Sequence, residues 1–213
     1  VWLHSAERFL NRDDVRQLIL VIDPEDREAF NSKFAANVAI LGIEVAEGGE
    51  ERCVSIAQAL ALVRDDVDMI AVHDAARPCI ANQWIEDVFA AAQQSGAAIL
   101  AIPVTGTIKR SADGQNVAET VSRTNLWEAQ TPQVFQRRHK LDAYARRGGH
   151  NATDDAELVE RLGHRVTIVP GSPVNMKITT RDDLKLAAQA LKALPKPKIL
   201  GPSHPFADDD MWR

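Results

Sequence analysis

Three short apolar runs constrain this chain most: Leu18–Ile22 (LILVI), Met69–Val72 (MIAV) and Ala97–Ile102 (AAILAI). Each has strand length, carries no charge and does not alternate with polar residues, the pattern of a strand buried on both faces. Between them lie segments with apolar residues at helical spacing. Trp2, Leu3, Ala6, Phe9 and Leu10 precede the first run, and Val54, Ile56, Ala57, Leu60 and Ala61 precede the second. Strand and helix in alternation predict parallel strands joined by crossover helices, an α/β domain. A chain of 213 residues that is 45% hydrophobic has material for one such core.

The spacing predicts helices over Trp2–Leu10, from Pro24 to about Phe34, over Cys53–Val63, over Asn82–Ser95 with Asn82 as cap and Gly96 as stop, and over Arg181–Leu194. Arg137–Arg147 reads as a helix whose basic residues form a solvated face, and a further helix runs from the Asn151–Asp155 cap cluster through Leu162. Val38–Leu41 and Ile43–Val45 read as an irregular edge strand around Gly42, and Arg165–Val169 and Asn175–Thr179 as strands. The alternation breaks after Pro103. Thr107–Arg110 and Val117–Val121 flank an Asp113-Gly114 turn, the signature of a β-hairpin. This hairpin has little apolar surface of its own and is expected to pack on something else, such as a second copy. Pro195–Arg213, rich in Pro and Asp, is expected to be a disordered tail.

The net charge of −5 argues against a general nucleic-acid or anionic-membrane binder, while leaving room for a small anionic ligand met by local Lys and Arg. Cys53 and Cys79 form no metal spacing and read as free thiols of a reducing compartment. No apolar stretch reaches the roughly 18 residues a membrane span needs, and no signal peptide is visible, so a cytoplasmic protein is expected. Ligands in open α/β sheets bind where buried strands end. Met69–Val72 ends at His73-Asp74, followed by Ala75-Ala76-Arg77-Pro78. A carboxylate and a guanidinium three residues apart suit a phosphorylated, hydroxylated substrate or a Mg²⁺ ion, and equally a strand-terminal ion pair. Gly48-Gly49 before a helix with Ser55 in its first turn is a second candidate, since the first N–H groups of a helix are unpaired. His73 reads as structural rather than as a base.

Taken together, GGEERCVSI (Gly48–Ile56), VHDAARP (Val72–Pro78), LWEAQTPQVF (Leu126–Phe135), TDDA (Thr153–Ala156) and NMKITTRDDL (Asn175–Leu184) resemble the 2-C-methyl-D-erythritol 4-phosphate cytidylyltransferases of the non-mevalonate isoprenoid pathway. The resemblance runs from Val1 to about Leu191. It implies a Rossmann-like nucleotidyltransferase fold over 1–194, with a mostly parallel sheet, helices on both faces and a projecting β-hairpin dimerisation arm at about 104–130. The implied reaction joins CTP and methylerythritol phosphate with Mg²⁺ and releases pyrophosphate. By the same resemblance, Arg123, from across a homodimer, and Lys177 are catalytic and position the substrate phosphate. Asp74, Arg77, Thr107 and Thr131 hold its hydroxyls, with Asp74 also ordering the metal, and Gly49, Glu50, Ser55 and Ala75 hold cytosine and ribose. Ala75-Ala76 favours methylerythritol phosphate over ribitol 5-phosphate, the substrate of close cousins. The alternatives are a ribitol 5-phosphate or other sugar-phosphate cytidylyltransferase, and a non-catalytic dimeric nucleotide-binding module. The family's Pro-Ala-Ala-Gly-x-Gly-x-Arg-Met loop is not in this sequence; it is expected upstream of Val1 in the native chain, and a chain starting at Val1 is expected to be inactive.

Overall fold

The computed structural model describes residues 1–194; the expected tail at 195–213 lies outside the described residues. Elements follow in the order α1 (Trp2–Leu10), β1 (Ile19–Ile22), a 3-10 turn (Pro24–Asp26), α2 (Arg27–Leu41), β2 (Glu44–Glu47), α3 (Arg52–Leu60), β3 (Met69–Val72) and α4 (Asn82–Ser95). Then come β4 (Ala97–Pro103), β5 (Ile108–Arg110), β6 (Glu119–Val121), β7 (Trp127–Gln136), α5 (Arg137–Ala145), α6 (Asp155–Glu160), β8 (Thr167–Pro170) and α7 (Arg181–Ala193).

The sheet is mixed rather than mostly parallel. β1 and β2 pair parallel as a two-stranded unit, and a four-stranded sheet has the order β3-β7-β4-β8. β7 runs antiparallel to both of its neighbours, and only β4 and β8 pair parallel there. The reason lies in the connection. β4 leaves the sheet at Pro103, the chain turns through the β5–β6 hairpin, and it returns without a crossover helix, so β7 must run the opposite way. β7 was legible in the sequence only as a motif. Its outer half is exposed and its inner half, Gln130–Phe135, is buried, so no single period marks it.

β4 shows how both faces are covered. Ala98 and Leu100 point to one side and pack with Ile80, Ile85, Val88 and Ala92 of α4 and the segment before it. Ala97 and Ile99 point to the other side and pack with Ala143, Ala156, Leu158 and Val159 of α5 and α6. β1 is covered through Leu20, which meets Ala6 of α1 and Ile43.

Several expected boundaries shift. α2 continues through Val38–Leu41 and ends at Gly42, whose φ of 63° only glycine adopts freely; the apolar tetrad read as an edge strand is the last turn of this helix. The strand of that region is β2 instead. α4 is preceded by Ala81 as cap, with Asn82 inside the helix and not capping it. Asn175–Thr179 joins no ladder: Ile178 N–H donates to the Ala76 carbonyl at 2.9 Å, docking the segment against the end of β3.

The basic face expected on α5 is not wholly solvated. Lys140 is fully buried and ion-paired with Asp155, itself fully buried at the start of α6. Tyr144 hydroxyl donates to the same carboxylate at 2.8 Å, and Arg52 Nη2 reaches it from α3 at 2.5 Å. Burial alone would push Asp155 up, but Lys140 and Arg52 outweigh it and hold the carboxyl below its ordinary value. Asp155→Ala leaves Lys140 buried without a counter-charge and is expected to lower stability in urea unfolding by about 3–5 kcal/mol. Lys140→Met leaves Asp155 with Arg52 and Tyr144 and is expected to lose clearly less; equal losses would contradict this reading of the pair.

Candidate active site

β1 and β3 are not hydrogen-bonded to each other among the described residues, and a cleft opens between their C-terminal ends. At the C-terminal ends of these strands its wall is Gly48, Gly49, Arg52, Ser55, Asp74 and Ala75. The Gly-Gly turn lies directly on the first turn of α3. A Cβ on Gly49 would sit 2.3 Å from Val54 Cγ1, and one on Gly48 would sit 2.9 Å from Ser55 Oγ, so only glycine allows this approach. Ser55 Oγ accepts from Gly49 N–H at 3.0 Å and fixes the turn.

On the β3 side, the site is built around Asp74. Its backbone N–H donates to Thr131 Oγ1 of β7 at 3.0 Å. Arg77 Nε donates to Asp74 Oδ2 at 3.1 Å, and Arg77 Nη1 to the Asn175 carbonyl at 2.8 Å. Lys177 Nζ lies 3.4 Å from the same Asp74 oxygen, with its side chain 46% exposed. Burial would raise Asp74, yet Lys177, Arg77 and Arg52 together hold the carboxyl below its usual range. The site therefore carries an ionised carboxylate and a half-exposed ammonium at the end of a buried strand.

Side chains of β7 hold these pieces in place. Gln130 Oε1 accepts from Ser172 N–H and Asn175 Nδ2, which ties the loop before Lys177 to the sheet. Gln133 Oε1 accepts from the N–H groups of Asp155 and Ala156, while its Nε2 donates to Asp154, closing the start of α6. His73 Nε2 lies 3.0 Å from the Arg77 carbonyl, which can only accept, so the proton is on Nε2 and Nδ1 accepts from Thr131 hydroxyl at 3.1 Å. Burial pulls His73 down to about 4, so the ring is neutral at pH 7. This agrees with its reading as a structural group.

The structure thus brings Asp74, Arg77 and Thr131 into one hydrogen-bonded knot that Lys177 joins as an ion pair, and Gly49, Ser55 and Ala75 line the adjoining cleft. Arg77 is 8% and Thr131 5% exposed, and the knot engages Arg77 Nε and Nη1 and Thr131 Oγ1. Glu50 is exposed and does not line the cleft. Thr107 and Arg123 lie at the two feet of the β5–β6 hairpin, exposed, and outside the cleft wall; Arg123 Nη1 donates to the Thr105 carbonyl. Among the described residues no group of three or more His, Cys, Asp or Glu is placed to hold a metal. Sequence reasoning gave no role to Asn175, Gln130, Gln133 or Arg52. The two glutamines stood inside the QTPQ motif, but which backbone groups they would meet depends on the β7 register.

With this geometry in view, the chain matches the model of the family IspD: 2-C-methyl-D-erythritol 4-phosphate cytidylyltransferase over residues 1–193. It is 42% identical over 203 residues to the 2-C-methyl-D-erythritol 4-phosphate cytidylyltransferase of Rhodopirellula baltica, spanning 90% of this chain and 82% of that one. The chain belongs to this family. The Bacillus velezensis member is likewise 42% identical, over 91% of this chain and 84% of that one. Among solved structures of cytidylyltransferases, that from Francisella tularensis superposes with a TM-score of 0.79 at 30% identity, over 90% of this chain and 88% of that one. The Thermus thermophilus structure gives 0.75 at 33% identity, over 90% and 87%. No helix among the described residues is long and apolar enough to cross a membrane.

Because His73 is neutral in the fold but protonates near 6.5 when unfolded, the unfolded chain binds the extra proton first. Stability is expected to be fully present above pH 7 and to fall as pH drops from about 6.5 towards 4. In urea titrations over this range, before the carboxylates protonate, His73→Gln is expected to flatten the fall; an unchanged slope would contradict the assignment.

Proposed function

We propose that the Asp74 knot is the reaction centre at which this member of the family transfers CMP from CTP to 2-C-methyl-D-erythritol 4-phosphate, releasing pyrophosphate, in the non-mevalonate isoprenoid pathway. The observation that carries this is the half-exposed Lys177 ammonium beside the ionised Asp74 at the mouth of the cleft. A phosphate dianion is already a nucleophile, so the chemistry needs its oxygen aimed at the α-phosphorus of CTP and the developing charge neutralised, not a general base. Lys177 supplies a point charge for the attacking phosphate. Asp74 receives the hydroxyls of the methylerythritol chain, with Arg77 and Thr131 holding that carboxylate and its backbone in place. Gly49, Ser55 and Ala75, with Glu50 beside them, receive cytosine and ribose, largely through backbone groups.

Mg²⁺ fits this site as an ion held mainly by phosphates. Asp74 Oδ1 accepts no hydrogen bond among the described residues, leaving one carboxylate oxygen for a cation that keeps most of its contacts with water and substrate. Bound there, the ion would neutralise phosphate charge. Arg123 reaches the reaction centre from the second subunit of a homodimer built through the hairpin arm, and Thr107 of the same arm meets the substrate with it. Ile108, Val117, Leu126 and Trp127 are exposed apolar residues on or beside that arm, which supports burial against a second copy. Both substrates are charged, water-soluble phosphates, in keeping with a cytoplasmic enzyme.

In the native full-length enzyme, pyrophosphate release from CTP is expected with methylerythritol phosphate and to be at least about tenfold slower, per kcat/KM, with ribitol 5-phosphate; the reverse preference would overturn the substrate assignment. In the same full-length enzyme, Lys177→Ala and Arg123→Ala are each expected to cut turnover about 100- to 1,000-fold with the fold intact. Mixing the two variants after subunit exchange should restore part of the activity. Failure to recover, with exchange demonstrated by mass spectrometry, would remove Arg123 from the neighbouring site.

A further inference from the structure

The two walls of the cleft belong to separate sheets, and the contacts that fix one against the other run through a group the roles above do not use. β1 and β2 form their own two-stranded unit, and α3 follows β2 through the Gly48-Gly49 turn. Asp74 follows β3 of the four-stranded sheet. Among the described residues, the hydrogen bonds that cross from the 44–60 segment to the side of the four-stranded sheet come from Arg52 and Cys53. Arg52 Nη2 donates to Asp155 Oδ2 at 2.5 Å, and Cys53 Sγ donates to the Ala152 carbonyl at 3.4 Å. Asp154 accepts instead from Gln133 Nε2 and Glu157 N–H, and Asp23 from Glu25 N–H, so the salt bridge of Arg52 is the one to Asp155. Burial works against the Arg52 charge, and Asp155 outweighs it, so the guanidinium is held charged and in place.

Each end of this ion pair is fixed to one wall. Arg52 is the first residue of α3. Ser55 N–H donates to the Glu51 carbonyl at 3.0 Å, and Ser55 Oγ accepts from Gly49 N–H. The glycine turn and the first turn of α3 therefore form one piece, and Arg52 is part of it. At the other end, Asp155 N–H donates to Gln133 Oε1 of β7 at 3.0 Å, and Tyr144 hydroxyl and Lys140 hold the carboxylate. Thr131, two residues from Gln133 on the same strand, receives the Asp74 N–H. Both walls are thus set against β7. We propose that Arg52 and Asp155 are positioning residues for the nucleotide: their ion pair holds the Gly48–Ser55 turn, which receives cytosine and ribose, at a fixed distance from Asp74. The proposal rests on the cytidylyltransferase reading and adds to it the means by which the wall for one substrate is aligned with the wall for the other. A displacement of about 1 Å is enough to spoil such an alignment.

The test is steady-state kinetics of the native full-length enzyme, with cytidine as an inhibitor that lacks phosphates. Arg52→Gln is expected to raise KM for CTP and the inhibition constant of cytidine together, each about tenfold. KM for methylerythritol phosphate and kcat at saturating CTP are expected to stay within about twofold, since bound nucleotide then holds the turn itself. Arg52→Lys keeps a charge opposite Asp155 and guards against a Gln variant that fails to fold; it is expected to fall between wild type and Gln for both ligands. Lys140→Met disturbs the same buried group but leaves the Arg52–Asp155 pair, and is expected to keep KM for CTP within about twofold. Unchanged affinity for CTP and cytidine in the folded Arg52 variants would overturn the proposal. So would weakening of CTP without cytidine, an equal rise in KM for both substrates, or a rise in KM for CTP in Lys140→Met as large as in Arg52→Gln. A wild-type enzyme that turns over no CTP would overturn the cytidylyltransferase reading itself, which separates the two failures.

Discussion

The site depends on one carboxylate shared between two cations. Asp74 follows directly on β3, and burial there opposes its ionisation. Arg77 and Lys177 supply opposite charge, so the carboxylate stays ionised and fixed. Arg77 in turn is anchored on the Asn175 carbonyl, and Asn175 Nδ2 donates to the Thr131 carbonyl at 2.9 Å. Thr131 accepts the Asp74 N–H. The loop closes on itself through three segments far apart in sequence, at 74–77, 131 and 175–177. A buried polar network of this kind is rigid when its members are satisfied and unstable when one is missing.

The network also explains why β7 sits at the centre of the sheet. An antiparallel strand between β3 and β4 presents Gln130, Thr131 and Gln133 in succession towards the loops that carry the chemistry. Gln130 binds the 172–175 loop, Thr131 binds the end of β3, and Gln133 binds the start of α6. The hairpin between β4 and β7 is therefore tied to the site by the strand that carries these three residues. Arg123 and Thr107, at the feet of that hairpin, are close to β7 in sequence and exposed in the single chain.

The apolar runs marked β1, β3 and β4 because strands buried on both faces need no periodicity to be recognised, and Gly42 and Gly96 mark helix ends by their left-handed conformations. The motif residues Asp74, Arg77, Thr131 and Lys177 meet as a group. What was not legible came from long-range pairing. The direction of β7 follows from the hairpin connection, not from its own residues. Lys140 looked like any other base on a charged helix, and its burial depends on Asp155, fifteen residues on, arriving beneath it. Asn175–Thr179 has a strand's composition but docks on the loop after β3 instead of a ladder, because its polar atoms are taken by Gln130, Thr131 and Arg77. Arg52 had no motif signal that separated it from an ordinary helix-start residue.

The central claim is that Asp74 is held ionised by its two cations against the push of burial. Carbon-detected NMR titration of the Asp74 side-chain carboxyl, assigned by its loss in Asp74→Asn, measures this directly. The account predicts a midpoint below the ordinary aspartate value of about 3.9, moving upward in Lys177→Met. A midpoint at or above that value in the wild type, or one insensitive to Lys177, would contradict it.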